Sequence, residues 1–421
     1  LIGSLALASP AAALDQRLTA SDGVAGDAIG DSVAIDGDIA VVGARLGNGF
    51  SGAAYVFTRS GDSWFNTAKL TASDGEPGDE LGDSVAILGD QIVVGAPFDD
   101  IGANEAQGSV YTFSATGAAL RSETAKLTAS DGAAQDKLGW SVAISGGQIV
   151  AGAPADEALR GSAYTFAAAG PAARTETAKL TASDGETGDE LGESVAISGS
   201  QIAVGAAFDN VTYPDQGSAY TFAATGAPAR TETAKLTASD GDKNDEFGTS
   251  VDLSDTQIVA GAPFDTVSVF ATQGSAYTFA AAGPAARTET AKLTASDGAG
   301  DDFLGFSVAI SDSQIVAGAP FDDVGANTDE GSAYTFAPSG TVARTETAKL
   351  IDSAGAAQDR FGGAVAASGD EVIVAARLDD VGANVDQGSA TVFYSPAPAP
   401  APTPMPTPTP PDLTPPDTKL G

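Results

Sequence analysis

The sequence has no cysteine and no histidine, a single methionine, and only 20 basic residues against 56 acidic ones in 421. Without cysteine there is no disulfide, thiolate nucleophile or thiolate-ligated metal. Without histidine, the usual nucleophile–imidazole triads and histidine-ligated zinc are excluded as well. A net charge of −36 repels phosphate backbones and argues against nucleic acid as a partner. No apolar run of 18 or more residues occurs, so no transmembrane segment is expected. What the chain has in excess is glycine, 51 residues, and proline, 22.

The proline is concentrated. Eleven of the 22 lie between Ser395 and Pro416, in SPAPAPAPTPMPTPTPPDLTPP. Such a run is extended at ~3.1 Å per residue and reads as a spacer, or as the start of a further region covering 395–421. A free tail, or one docked on a neighbouring subunit, is the alternative. At the other end, residues 1–13 are apolar and small, ending in Ala11-Ala12-Ala13. This reads as the remnant of a secretory signal, so a secreted, extracellular or cell-surface protein is expected.

Between these ends the chain repeats. The phrase KLTASDG or a variant begins at Arg17, Lys69, Lys126, Lys179, Lys235, Lys292 and Lys349. Thirteen residues after each stands a glycine: Gly30, Gly82, Gly139, Gly192, Gly248, Gly305 and Gly362. Each unit then runs through SVAI-like, IVVGAP-like and GSAYTF-like segments and closes on TETAKL. In the second unit these are four short strands, Ser84–Leu88, Gln91–Gly95, Ser109–Phe113 and Glu123–Leu127, with Gly89-Asp90 as a hairpin turn. Seven units of four antiparallel strands predict an all-β, seven-bladed β-propeller. A β-solenoid is the competing architecture, but its coils are shorter and more regular.

The seventh unit runs into the proline tail before a fourth strand. The segment Leu14–Ala20 supplies a spare one. It is expected to complete the last blade, closing the ring so that residues 14–394 form one propeller and two sheet edges disappear.

The order of hydrophobic-Gly, SVA, GAP and GSAYxF resembles the FG-GAP repeat of integrin α-chain propellers, and is similar to the bacterial FG-GAP variety of secreted and surface proteins. The FG pair is intact at Phe247-Gly248 and Phe361-Gly362; GAP is intact at four sites and departs to Gly43-Ala44-Arg45, Gly205-Ala206-Ala207 and Ala375-Ala376-Arg377. The resemblance implies a propeller used for binding or adhesion and not for catalysis. It does not carry over calcium ligands, because the DxDxDG loop of integrin blades is missing here.

Strand order places the fourth-to-first and second-to-third connections at one end. That end is acidic. The fourth-to-first connections carry Asp22 and Asp27, Asp74 and Asp79, Asp131 and Asp136, Asp184 and Asp189, Asp240 and Asp245, and Asp297 and Asp302, which are candidate ligands for calcium. The competing reading is that each carboxylate caps a turn N–H. The second-to-third loops vary in length, so they are the candidate partner-binding rim, through Asp99, Asp100, Asn104, Asn210, Tyr213, Asp322, Asp323, Asn327, Asp379, Asp380 and Asn384. The other end carries Arg59, Arg121, Arg174, Arg230, Arg287 and Arg344, expected either to pair with neighbouring glutamates or to support head-to-tail stacking. Trp64, Trp140 and the recurrent Tyr111, Tyr164, Tyr220, Tyr277 and Tyr334 are assigned to packing.

These features predict a binding or adhesion module presenting an acidic face to an extracellular protein or glycan, with Ca2+ as a candidate cofactor. A structural subunit that assembles with copies of itself is the second reading. A polysaccharide-active enzyme is the third, and the even spread of acids over seven units speaks against it. The acidity alone would also suit a saline habitat.

Overall fold

Alternation decides the blades. In Gln91–Ala96, Ile92 and Val94 face the preceding unit while Val93 faces the following one, and all three are buried. Because both faces are apolar, the strand is stable only between two neighbouring sheets. The same holds in every unit, so the core is divided into clusters at the blade boundaries. Tyr111 and Phe113 of Ser109–Ser114 anchor one such boundary, fully buried; side chains of this size contribute about 4 kcal/mol each.

The computed structural model describes residues 15–394 except 117–122, 171–172, 175, 284–285, 288 and 341–342. It is a seven-bladed, all-β propeller. The second blade runs Val85–Leu88, Gln91–Ala96, Ser109–Ser114 and Glu123–Leu127 from the axis outward, antiparallel throughout. The innermost strands are Val33–Asp36, Val85–Leu88, Val142–Ser145, Val195–Ser198, Ser250–Leu253, Ser307–Ile310 and Phe361–Ser368. Each touches the next, and the seventh touches the first. Their Val, Ala and Ile side chains line a central channel, interrupted by Asp252 where its neighbours have Ala.

Closure follows the sequence expectation. Gln16–Leu18 pairs antiparallel with Ser389–Tyr394, with Arg17 opposite Thr391. The four-stranded blade is not the whole pattern, however. Ala173–Arg174, Ala229–Thr231, Ala286–Arg287 and Ala343–Thr345 each add a fifth strand, in parallel, to the outer edge of the preceding blade. These segments have no hydrophobic period of their own, and their partner lies in another unit. They cover edges that would otherwise expose unpaired backbone groups.

The named motifs are the latches between blades. The residue before each unit's glycine forms a parallel bridge to the glycine preceding the third strand of the unit before: Gly52 with Leu81, Gly108 with Leu138, Gly217 with Phe247, and across the closure Ile29 with Gly388. Beside this, the serine of each SVA segment donates to the same glycine's carbonyl, as in Ser32 to Gly82 at 2.8 Å and Ser141 to Gly192 at 2.8 Å. The GAP glycine leaves room for that carbonyl. A Cβ on Gly95 would lie 1.9 Å from Gly139 O. The seventh blade has Ala364 and Ala375 in place of the serine and glycine, so hydroxyl and gap are lost together.

Candidate functional site

At the acidic end the two kinds of connection interlock, as the strand order requires. Lys137 N–H donates to Ala106 O and Leu138 N–H to Gln107 O. The carboxylates of this face fall into two sets, both already engaged. Asp27, Asp79, Asp136, Asp189, Asp245 and Asp302 each accept the backbone N–H three residues earlier, at 2.6–2.8 Å. They are turn caps. Asp22, Asp74, Asp131, Asp184, Asp240 and Asp297 receive the Lys of the next unit at 2.7–3.0 Å.

In five blades that Lys is shared. Lys126 Nζ lies 2.8 Å from Asp74 and 2.7 Å from Asp99, while Tyr111 OH lies 2.8 Å from Asp74 and 3.0 Å from Asp99, its one proton serving either, and Ser109 OH donates to Asp99. Burial pushes the Asp74 carboxyl up, but the Lys126 and Tyr111 hydrogen bonds outweigh it and hold it below the usual range. Burial and Asp99 raise the Tyr111 phenol far above its ordinary value. Asp99, Asp322 and Asp379 are therefore buried structural groups and are not presented to a partner. In the seventh blade Arg17 takes the place of Lys and pairs with Asp352 and Asp379, opposite Thr391 where the other blades have Tyr. In the first blade Gly47 stands where the second Asp would be, and Lys69 pairs with Asp22 alone. Among the described residues no group of three or more acids is arranged to hold a metal ion.

The rest of the expected rim is largely self-capped. Asp100 accepts Ala106 N–H, Asp323 accepts Asp329 N–H, Asp380 accepts Asp386 N–H, and Asn210 accepts Asp215 N–H. Asn104, Asn327 and Asn384 donate to Gln107, Glu330 and Gln387. Tyr213 is different: it is exposed and borders a groove with Thr212, Gln216 and Asp242. At the opposite end Arg59 pairs with Glu371, as expected, whereas Arg230 and Arg344 are held by other groups. Arg230 donates to Ala223, Ala224 and Ala227 carbonyls, and Arg344 to Ala337 O and to Thr278 of the preceding blade. The glutamates instead cap the turn that opens their own unit, as Glu123 does at Ser73 N–H. Arg121 and the side chains of Arg174 and Arg287 lie outside the described residues.

What breaks the sevenfold repeat is the channel mouth on the acidic face. The residue between each unit's latch glycine and the following serine, or Ala364 in the seventh unit, lines it: Asp31, Asp83, Trp140, Glu193, Thr249, Phe306 and Gly363. A second position flanks it: Ala28, Glu80, Lys137, Glu190, Glu246, Phe303 and Arg360. All seven have φ between 52° and 61°, and none is glycine. A left-handed conformation costs a residue with a Cβ about 1 kcal/mol, and here it aims a different side chain from each blade.

These positions make two chemistries. Arg45, from a departed GAP, sits among Asp31, Glu80 and Asp83 at 3.2–3.6 Å, and Arg377, from another departure, lies 3.5 Å from Asp31. Burial, with Asp31 and Glu80 adding and Arg45 opposing, pushes Asp83 up to about 7. Burial and the neighbouring Glu190 and Glu246 carry Glu193 to about 8, and its Oε2 has no hydrogen-bond partner. Elsewhere the mouth is aromatic. Phe303 packs at steep angles between Phe264 and Phe321, with ring centroids 4.9 and 4.7 Å apart, Arg360 lies over Phe321 at 3.7 Å, and Lys137 lies over both Phe98 and Trp140. Trp140 is thus half-exposed at the mouth, whereas Trp64 is buried as expected.

The period of the repeat does not mark the mouth. Its signal is present all the same: in seven aligned units the residues flanking each latch glycine vary in charge and size while the glycine itself stays fixed.

Comparison with known proteins supports this architecture. A chain in the crystal structure of a mitotic checkpoint complex superposes with TM-score 0.56 at 13% identity, covering 94% of this chain and 98% of that one, a likeness of fold alone. No curated protein matches the chain in sequence. No helix among the described residues is long and apolar enough to cross a membrane. The FG-GAP repeat model matches residues 13–57, 64–113, 122–166, 175–222, 231–279, 288–336 and 345–393. With seven matched units and one blade for each, the chain belongs to the FG-GAP repeat family, whose propellers are typically extracellular, non-enzymatic domains that mediate protein interactions.

Proposed function

We propose that this propeller is an extracellular recognition module whose binding site is the channel mouth of its acidic face. The observation that carries the reading is the loss of sevenfold repetition there. The latches, caps and Asp–Lys–Asp clusters recur from blade to blade, while the mouth presents Asp83, Trp140, Glu193, Thr249 and Phe306 in sequence around the axis. A rigid scaffold with unlike side chains at one concave spot is how a binding site is usually built. Its acids and exposed aromatics suit a protein segment that combines a basic side chain with an apolar one. Tyr213 and its groove lie on the same face and extend the surface.

Calcium is not needed for this reading, since the carboxylates that would ligate it are occupied by lysines and turn N–H groups. If calcium assists binding, it acts through other oxygens.

The test is peptide selection on the immobilised protein. Enriched peptides should carry Arg or Lys beside an aromatic or aliphatic residue. Binding should fall at least tenfold in Phe306→Ala and Asp83→Asn, with and without calcium, and remain unchanged in Arg230→Ala on the opposite face. Peptides that bind all three variants equally would place recognition elsewhere.

A further inference from the structure

Among the described residues the first, sixth and seventh blades lack a fifth strand, and in the sixth the uncovered edge borders a groove. Each of Ala173–Arg174, Ala229–Thr231, Ala286–Arg287 and Ala343–Thr345 follows its own unit's third strand and lies on the preceding blade's outer edge. The register is constant. The residue seven after the third-strand Phe stands opposite the Lys: Ala173 opposite Lys126, Ala229 opposite Lys179, Ala286 opposite Lys235 and Ala343 opposite Lys292. The sixth blade's outer strand, Ala348–Leu350, has no such partner among the described residues. Beside it is a groove of about 300 Å³ lined by Gln314, Thr335, Leu350, Val372, Phe393 and Tyr394.

The groove holds a second sign of vacancy. In the second blade, Gln91 Nε2 donates to Ala168 O, two residues past the third-strand Phe166 of the next unit, at 2.6 Å. In the seventh blade, Glu371 at the equivalent position takes Arg59 of the first unit. In the sixth, Gln314 is 6% exposed, faces the groove, and its Nε2 has no hydrogen-bond partner. A buried donor left without an acceptor is costly, so the groove is built for an acceptor.

We infer that the groove is the docking site of the protein's own proline-rich segment, residues 395–401, which adds the missing fifth strand to the sixth blade. Tyr394 already borders the groove, and Ser395 follows it. By the register of the other units, Ser395 O is the acceptor for Gln314, and Pro400 stands opposite Lys349. The alternation of the segment matches what that pairing demands. In the third blade, Lys179 N–H donates to Pro228 O, the residue before its opposite number Ala229. The residue directly opposite the Lys therefore turns its own N–H outward, and its two neighbours supply the acceptor and the donor. In the tail those neighbours are Ala399 and Ala401, and the residue between them, which needs no N–H, is Pro400. Proline is tolerated in sheets at such an outward-facing edge position. A slip of one residue would put a proline where a donor is required, so the Pro-Ala alternation fixes the register.

The experiment is amide hydrogen exchange on the whole chain against a chain ending at Tyr394, with the Lys292 amide, covered by Ala343–Thr345, as internal control. The Lys349 amide should exchange at least tenfold faster after truncation while Lys292 is unchanged. Within the full chain, Ala399→Pro/Ala401→Pro should lose the protection, and Pro400→Ala should keep it. Equal exchange at Lys349 in full and truncated chains overturns the proposal, as does retained protection in the double proline variant. Protection that vanishes on dilution would assign the groove to the tail of a second copy and overturn the intramolecular assignment.

Discussion

Ser84 of the second blade gives its hydroxyl to the carbonyl of Gly139 in the third, 2.7 Å away, and this one bond, repeated in the first six blades, explains why the serine segment and the glycine pair travel together. The serine and the glycine belong to different sheets. Neither is intelligible inside its own repeat, and the GAP glycine beside them is small because that carbonyl occupies the space its Cβ would take.

Replacing Ser84 by Ala leaves a buried carbonyl short of a donor and should cost about 1 kcal/mol. Gly95→Ala should cost considerably more, since its Cβ would lie 1.9 Å from Gly139 O. The seventh blade already carries both alanines, Ala364 and Ala375. The double variant should therefore be less destabilised than the sum of the singles, a coupling readable from urea unfolding.

Lys126→Met removes the only cation paired with buried Asp99 among the described residues, as well as the partner of Asp74, and should destabilise by about 3 kcal/mol. Lys69→Met in the first blade removes a single exposed pair with Asp22 and should cost under about 1 kcal/mol. Similar losses in the two variants would refute the Asp–Lys–Asp cluster as a structural unit.

Two groups of carboxylates set opposite pH trends. Glu193 at about 8 and Glu246 at about 7 bind protons more tightly folded than unfolded, so stability should decline as pH rises from about 4.5 to 8. Glu193→Gln should flatten that decline. Asp74, Asp131, Asp184, Asp240 and Asp297 are held below their usual range, so their contribution is present above about pH 4 and lost as pH falls through their lowered values. Chemical denaturation across pH 3–9 reads both limbs.

Glu246 has φ 53° at the channel mouth. Glu246→Gly should stabilise the fold by about 1 kcal/mol through relief of the left-handed backbone, and should weaken peptide binding at the mouth. A gain in stability with unchanged binding would remove that position from the recognition surface.

The ring and its closure were legible because strand alternation, a constant step between units and an unpaired first segment are local facts of the sequence. The fifth strands were not. Ala-Arg-Thr carries no period, and its pairing is parallel and lies in a neighbouring unit. The acids were legible as a face but not as partners. That Asp74 and Asp99 share Lys126 depends on three segments meeting, and Asp99 reads in the sequence as an exposed loop residue. The mouth was obscured because its varied residues, such as Trp140 and Glu193, are single letters inside the most regular phrase of the repeat.

The closure also settles how many blades the ring has. The third strands of the first six blades are each paired with their own fourth strand, so only the seventh leaves that edge to the first segment. Arg17 fits the seat it finds there. Its guanidinium is bulkier than the lysine found at every other blade, and only the seventh presents Thr391 where the first to sixth present a tyrosine. The protein counts to seven by the shape of its last seat.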